Sequence, residues 1–334
     1  MSVSSPDPAP PKLTIVMYHY VRPLALTRFP KIKGLDLALF EQQLGYLQKH
    51  YSLISMEDLI DAIENRCQLP PRPALLTFDD GYLDHYEYVF PRLAERNLHG
   101  AFFPVSCAAL DRKILDVNKI HFTLASDVDP DLFVDFIEDA CRERASEYGL
   151  HDLGHYRENY RVGNFLDPAN VNYVKLMLQH ALPLELRAQL VDQLFRRYVA
   201  SDEGSFAGEL YATVDQLRIM RSGGMHIGSH GDLHQWLGHL QKAEQEADIE
   251  RSLRLLDAVG TAPDYRTLCY PYGSYNADTI EAIVARGFKL ALTTEVALSD
   301  AIAVQRFVLP RLDTNHLPKN SSAPPNEWTI AADR

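Results

Sequence analysis

Leu76-Thr77-Phe78-Asp79-Asp80-Gly81-Tyr82 is the stretch whose reading decides the fold. An apolar, β-prone run from Ala74 to Phe78 ends in two adjacent carboxylates, followed by a glycine that permits a sharp turn. Taken alone, Asp-Asp-Gly is a turn signal. In an α/β protein, however, the carboxyl end of a strand is where ligands and chemistry gather. Two acids there can divide the labour, one binding a cation and the other moving protons.

Working outward, strands and helices alternate. Leu13 to Tyr18 reads as a strand leading into His19, Leu39 to His50 as a helix, and Met56 to Asn65 as a helix capped by Ser55. Pro70 to Pro73 breaks the chain before the central strand. Leu83 to Arg96 is read as a helix begun or bent around Pro91, and Gly100 to Val105 as the next strand. The rhythm stops from Cys107 to Arg221, where Leu132 to Tyr148 and Leu184 to Tyr198 are amphipathic and the span between them reads as loop. It resumes with strands at Met225 to Ser229, Thr267 to Tyr270, Phe288 to Thr293 and Ala303 to Leu309. Helices Lys242 to Val259 and Ala277 to Arg286 lie between, and the Glu- and Lys-rich run from Gln241 to Glu250 reads as a solvated face. Such alternation implies a parallel sheet covered by helices.

The organisation expected is a flexible segment over 1–12, a barrel over 13–318 interrupted by a helical insertion or lid over 107–221, and a loosely packed tail over 319–334. The chain has 334 residues and a formal net charge of -12, which argues against a nucleic-acid backbone or an anionic membrane as main partner. Its four cysteines are irregularly spaced, and no long apolar run predicts a membrane-spanning segment. The N-terminus lacks both a basic and an apolar leader region, so a cytoplasmic location is the expectation.

Ser229-His230-Gly231-Asp232-Leu233-His234 supplies the second cluster. Two His four apart on a helical turn would share one face at a separation suited to a zinc-like cation. Hydrolytic zinc sites use three protein ligands, and Asp79-Asp80 offers a carboxylate and a spare at the same mouth of the sheet.

These residues carry a resemblance. Thr77-Phe78-Asp79-Asp80-Gly81 with Ser229-His230-x-x-x-His234 resembles the first two motifs of the polysaccharide deacetylases of carbohydrate esterase family four, the nodulation-type deacetylase homology domain. Tyr270-Pro271-Tyr272-Gly273 is similar to the family's third motif. Val16-Met17-Tyr18-His19 and Leu309-Pro310-Arg311-Leu312 are similar to the opening and closing strands of its poly-N-acetylglucosamine deacetylase branch. The resemblance spans roughly residues 13–106 and 222–315.

It implies a distorted, incomplete TIM-like (β/α)7 barrel with a helical insertion, and metal-dependent removal of an N-acetyl group from an amino sugar of a glycan or surface-glycan precursor. One divalent transition metal (Zn, with Ni, Co or Fe as alternatives) would be held by Asp80, His230 and His234. Asp79 would be the general base, and the Tyr272 backbone N–H would hold the oxyanion. Two positions depart from the family pattern. Cys269 stands where an Arg commonly orients the catalytic Asp, and Arg311 is the substitute candidate. The closing Leu-x-x-His motif is one residue too long, so His316 and His19 compete as the acid. The implied partner is an N-acylated amino sugar or glycan. Alternatives are a deformylase or other N-acyl amide hydrolase on the same barrel, or a non-catalytic carbohydrate-binding barrel. Trp236 reads equally as a sugar-stacking or a packing residue.

Overall fold

The structure, a computed structural model, describes residues 12–64, 66–164, 167–299 and 305–333. The chain forms two compact units, one built on 12–23, 34–112 and 210–333, the other on 24–33 and 113–209. The flexible segment expected over 1–12 lies outside the described residues except for Lys12. Of the strand expected over Ala303 to Leu309, Ala303 and Val304 also lie outside them, and 305–308 form bends and turns in place of a strand, leaving Leu309 in a single bridge.

In the first unit, seven parallel strands close a ring: β1 (Thr14–Tyr18), β2 (Pro73–Asp80), β3 (Ala101–Pro104), β4 (His226–Ile227), β5 (Thr267–Cys269), β6 (Leu290–Leu292) and β7 (Leu312–Asp313). Continuous ladders run β7-β1-β2-β3-β4 and β5-β6. Single parallel bridges, Ser229–Leu268 and Leu292–Leu309, complete the circle. The ring is therefore thinly stitched on the β4–β7 side, which gives it its distorted character.

Every residue of β2 is buried, as expected of a parallel strand covered on both faces. Period-two alternation sorts its side chains. Leu76 and Phe78 join Val16, Tyr18 and Phe102 against helix residues such as Phe40, Leu44 and Leu93. Leu75 instead meets Ile15, Phe103, Cys269 and Leu292 in the barrel interior. Asp79, two pleats beyond Leu75, consequently points inward.

The helix after β2 includes one widened turn, His85–Val89, just before Phe90–Glu95. Pro91 has no N–H to continue the regular ladder, and the extra residue absorbs the fault. The tail expected to be loose is packed. Asn326 caps the helix Glu327–Ala331, and Thr329, fully buried, bonds the hydroxyls of Tyr46 at 2.7 Å and Tyr51 at 2.9 Å. Its polar composition gives no sign that two tyrosines far upstream take their buried partner from it.

The second unit is helical. Its core joins Phe133, Ile137, Tyr173, Leu186, Leu190 and Leu194. The span expected to be loop contains helices Leu153–Tyr160 and Ala169–Leu176, because Asp152 caps the first and Tyr156 and Tyr173 are buried. Residues 24–33 join this unit from far upstream, a placement no local periodicity foretells. Helices Ser106–Leu110 and Val214–Ser222, within the expected insertion, pack with the barrel unit. Among the described residues, no helix is long and apolar enough to cross a membrane.

Candidate metal and catalytic site

Asp79 and Asp80 end β2 in opposite surroundings. Asp79 is almost fully buried inside the barrel and receives both arms of the Arg311 guanidinium, Nη1 to Oδ1 at 2.9 Å and Nη2 to Oδ2 at 2.7 Å. Arg311, immediately before β7, is itself buried. It also donates Nε to the Thr293 carbonyl, Nη1 to Thr77 Oγ1, and Nη2 to Cys269 Sγ at 2.9 Å. The Cys269 thiol donates on to Asp79 Oδ2 at 3.4 Å. Burial by itself would raise the Asp79 pKa, but the Arg311 charge, with His230 and the Arg311 hydrogen bonds, holds the carboxyl well below the usual range.

At Asp80 the strand breaks. Asp80 and Gly81 both take φ of 71°, and a side chain added at Gly81 would collide with Pro104. The left-handed turn swings the Asp80 carboxylate toward the loop after β4. Its Oδ2 accepts the Tyr82 hydroxyl at 2.5 Å. Its Oδ1 lies 3.5 Å from His230 Nε2 and 3.4 Å from His234 Nε2, is buried, and has no hydrogen-bond partner among the described residues. One ligand atom from each of Asp80, His230 and His234 lies within 4.8 Å of the others.

The loop carrying the two His is not the helical turn anticipated. Gly231 has φ 75° and His234 φ 54°, so the imidazoles converge through a kinked path, with ring centroids 4.9 Å apart. Asp248 holds this path. Its carboxylate accepts the backbone N–H groups of Asp232 at 2.9 Å and Leu233 at 3.1 Å. Asp248 and Gln245 are buried, so the run from Gln241 to Glu250 is a solvated face only in part. His230 Nδ1 donates to the Cys269 carbonyl at 2.7 Å, which turns the Nε2 lone pair toward Asp80. Burial pushes the His234 pKa down to about 3, keeping that ring neutral.

A buried carboxylate oxygen with no proton donor, faced by two imidazole nitrogens, fits a divalent cation: ligands of this kind must be deprotonated, and two neutral imidazoles plus a carboxylate form a recognised set. A second group, Asp79, His230 and Cys269, shares His230 with the first.

On the rim, Tyr272 has φ 56° in the turn Pro271–Gly273, and Gly273 is obligatory because a Cβ there would lie 2.2 Å from Thr294 Oγ1. The Tyr272 ring lies beside His234 and stacks on Trp236, with centroids 4.5 Å apart. Trp236 in turn stacks on His239. His19, following β1, is 41% exposed with Nε2 3.9 Å from Asp79 Oδ2, and its carbonyl accepts from buried His85 at 2.9 Å. His316 is placed differently. Its Nδ1 accepts the Asp313 N–H within a capping box and its ring meets Trp328, so its contacts are with the cap and not with Asp79 or Asp80. The extra residue in the closing motif forms that cap. Tyr82 and Asp248 were not singled out from sequence. Tyr82 stood in the opening motif without a chemical signal, and Asp248 was masked by a charged helix pattern.

A family model described as polysaccharide deacetylase matches residues 196–291. No curated protein matches the chain. In fold, the chain is similar to the Streptococcus pyogenes deacetylase PplD solved with acetate, at 17% identity and TM-score 0.55, covering 92% of this chain and 94% of that one. It is also similar to IcaB from Ammonifex degensii, at 18% identity and TM-score 0.54 over 98% and 99% of the two chains. A de-N-acetylase from Aggregatibacter actinomycetemcomitans aligns at 18% identity and TM-score 0.54 over 97% and 100%. The fold is that of the polysaccharide deacetylases, and the stretch from the second unit's last helices through β6 carries their sequence signature.

Proposed function

Proceeding from that fold and signature, we propose that this chain is a metal-dependent hydrolase that removes an N-acetyl group from an amino sugar of a glycan or glycan precursor. The observation that carries the reading is the unpartnered Asp80 Oδ1 facing His230 and His234, one residue from a carboxylate locked by Arg311. The PplD structure holds acetate, the acid such a reaction releases.

Asp80, His230 and His234 would hold the cation. When bound, a divalent transition metal supplies Lewis-acid polarisation of the amide carbonyl and acidification of water. The Arg311 charge holds Asp79 in its ionised form, so it accepts the proton of the attacking water without first losing one of its own. Arg311 fixes both Asp79 oxygens and stops the side chain from rotating. The water oxygen adds to the carbonyl carbon, and the Tyr272 backbone N–H donates to the oxygen on which charge develops. His19 delivers a proton to the amide nitrogen as the C–N bond breaks, releasing acetate and the free amine. Its exposure gives it access to solvent protons.

The test is incubation of the metal-loaded chain with a panel of N-acetylated amino sugars and their oligomers, read by product mass. A product lighter by one ketene unit supports the reading. A product lighter by one CO unit, with formate released, assigns formyl instead. Full metal occupancy with every substrate unchanged overturns it.

A further inference from the structure

The second unit has a cavity of its own. It measures about 140 Å³ and is lined by Lys31, Lys33, His121 and Lys175, with Asp167 the sole carboxylate among the described residues of its wall. In a chain of net charge -12, three ammonium groups around one small concavity are a local reversal of sign. Asp167 is buried and accepts Lys33 Nζ at 2.5 Å and Lys175 Nζ at 2.8 Å, one on each oxygen. Lys31 reaches outward to exposed Asp127 at 2.8 Å, a pair that water screens. Lys31 and Lys175 each engage a single carboxylate oxygen in these pairs, and an ammonium has three donors. The volume is about ten times the ~10–15 Å³ that one water requires, ample for a tetrahedral oxyanion with its first waters.

From this cluster we infer that the cavity binds a phosphate group, free or as the end of a small phosphate ester. Three lysines can each give a charge-assisted hydrogen bond, and His121, on the helix Asp116–Leu124, lines the same wall. A dianion gains more from three ammonium groups than a carboxylate does. Asp167 acts as the internal competitor: it gathers Lys33 and Lys175 when the cavity is empty and repels the incoming anion.

The experiment is calorimetric titration of the full chain, at constant ionic strength, with inorganic phosphate, with an N-acetylhexosamine 1-phosphate, and with acetate. Both phosphates are expected to saturate and acetate to bind more weakly. The double variant Lys33→Gln/Lys175→Gln should weaken phosphate by about tenfold or more, since two charge-assisted bonds are lost. His230→Ala should leave the phosphate isotherm in place, which separates this cavity from the metal site. Asp167→Asn should tighten phosphate by about threefold or more, a gain that unfolding cannot mimic. Equal affinity for the two phosphates assigns the site to the phosphate alone, and a tighter ester extends it to a phosphorylated sugar. Absence of saturation by either phosphate overturns the inference, as does an unchanged isotherm in the double variant or no gain in Asp167→Asn.

Discussion

Two neighbouring carboxylates on one strand end are built to opposite specifications. Asp79 carries three donors, with both oxygens on Arg311 and the Cys269 thiol adding a further one on Oδ2. Asp80, one residue on, has Tyr82 on one oxygen and nothing donating to the other. Burial is alike for the two, so burial does not assign their roles; the donors do. A carboxylate with three donors keeps one lone pair for a proton, and its charge is already met by a guanidinium. One whose buried oxygen faces two imidazole lone pairs is short of a positive charge.

The sharpest break of this contrast is a pair of charge-neutral swaps. Asp79→Asn should cut turnover by about 10² to 10⁴-fold, the range for loss of a general base, while metal content stays near wild type. Asp80→Asn should lose both metal and turnover, measured by elemental analysis and initial rates. If Asp79→Asn instead emptied the metal, the division of roles would be wrong. Next in size is Arg311→Met, which leaves Asp79 buried and unpaired. Loss of one partner of a buried pair costs about 3–5 kcal/mol, readable as a shift in the denaturant midpoint. Adding Asp79→Asn to that background should recover part of the loss, because the stranded charge goes with it. Tyr82→Phe acts on the other side. It removes the one proton donor that orients Asp80, and a loss of about 10 to 100-fold in metal affinity is expected, as for other partners of metal ligands. Metal titration against a chelator decides it, with Asp79-dependent stability unchanged.

How far this arrangement was legible in the chain follows from what each residue's signal depends on. Asp79, Asp80, His230 and His234 sit at the ends of apolar runs, and strand alternation is local enough to read directly. That Arg311 reaches Asp79 depends on β7 closing against β1, a contact 232 positions apart along the chain. Only a motif at another strand end hinted at it. The helical turn expected for the two His failed because Gly231 and His234 both adopt positive φ, held by Asp248 on a helix whose charged surface pattern concealed one inward acid. His316 was read by spacing, yet one extra residue made a cap of it. The packed tail and the joining of 24–33 to the second unit rest on tertiary contacts that propensity does not encode.

His85 tests the rule from the other direction. Its Nδ1 is buried without a hydrogen bond, like Asp80 Oδ1, yet its ring meets Phe78, Tyr82 and Phe102, and among the described residues no metal-ligating group forms around it. An unsatisfied atom marks a cation site only when other lone pairs face it. The alternative use of a neutral imidazole is structural: Nε2–H holds the His19 carbonyl, and burial lowers the pKa from 6.5 to about 4. The sign of the consequence is fixed. Between those values the unfolded chain binds the proton and the folded one does not, so His85 contributes stability that is complete above pH 6.5 and is lost as pH falls toward 4. By pH 5.5 the loss from this group should be about 1 kcal/mol. His85→Gln can keep a donor for the His19 carbonyl without the titration. Its denaturant midpoint should therefore fall less steeply than wild type over that window, with metal content unchanged in both. Equal slopes would mean that the His85 ring takes up its proton in the folded protein and that its neutrality does not hold His19 in place.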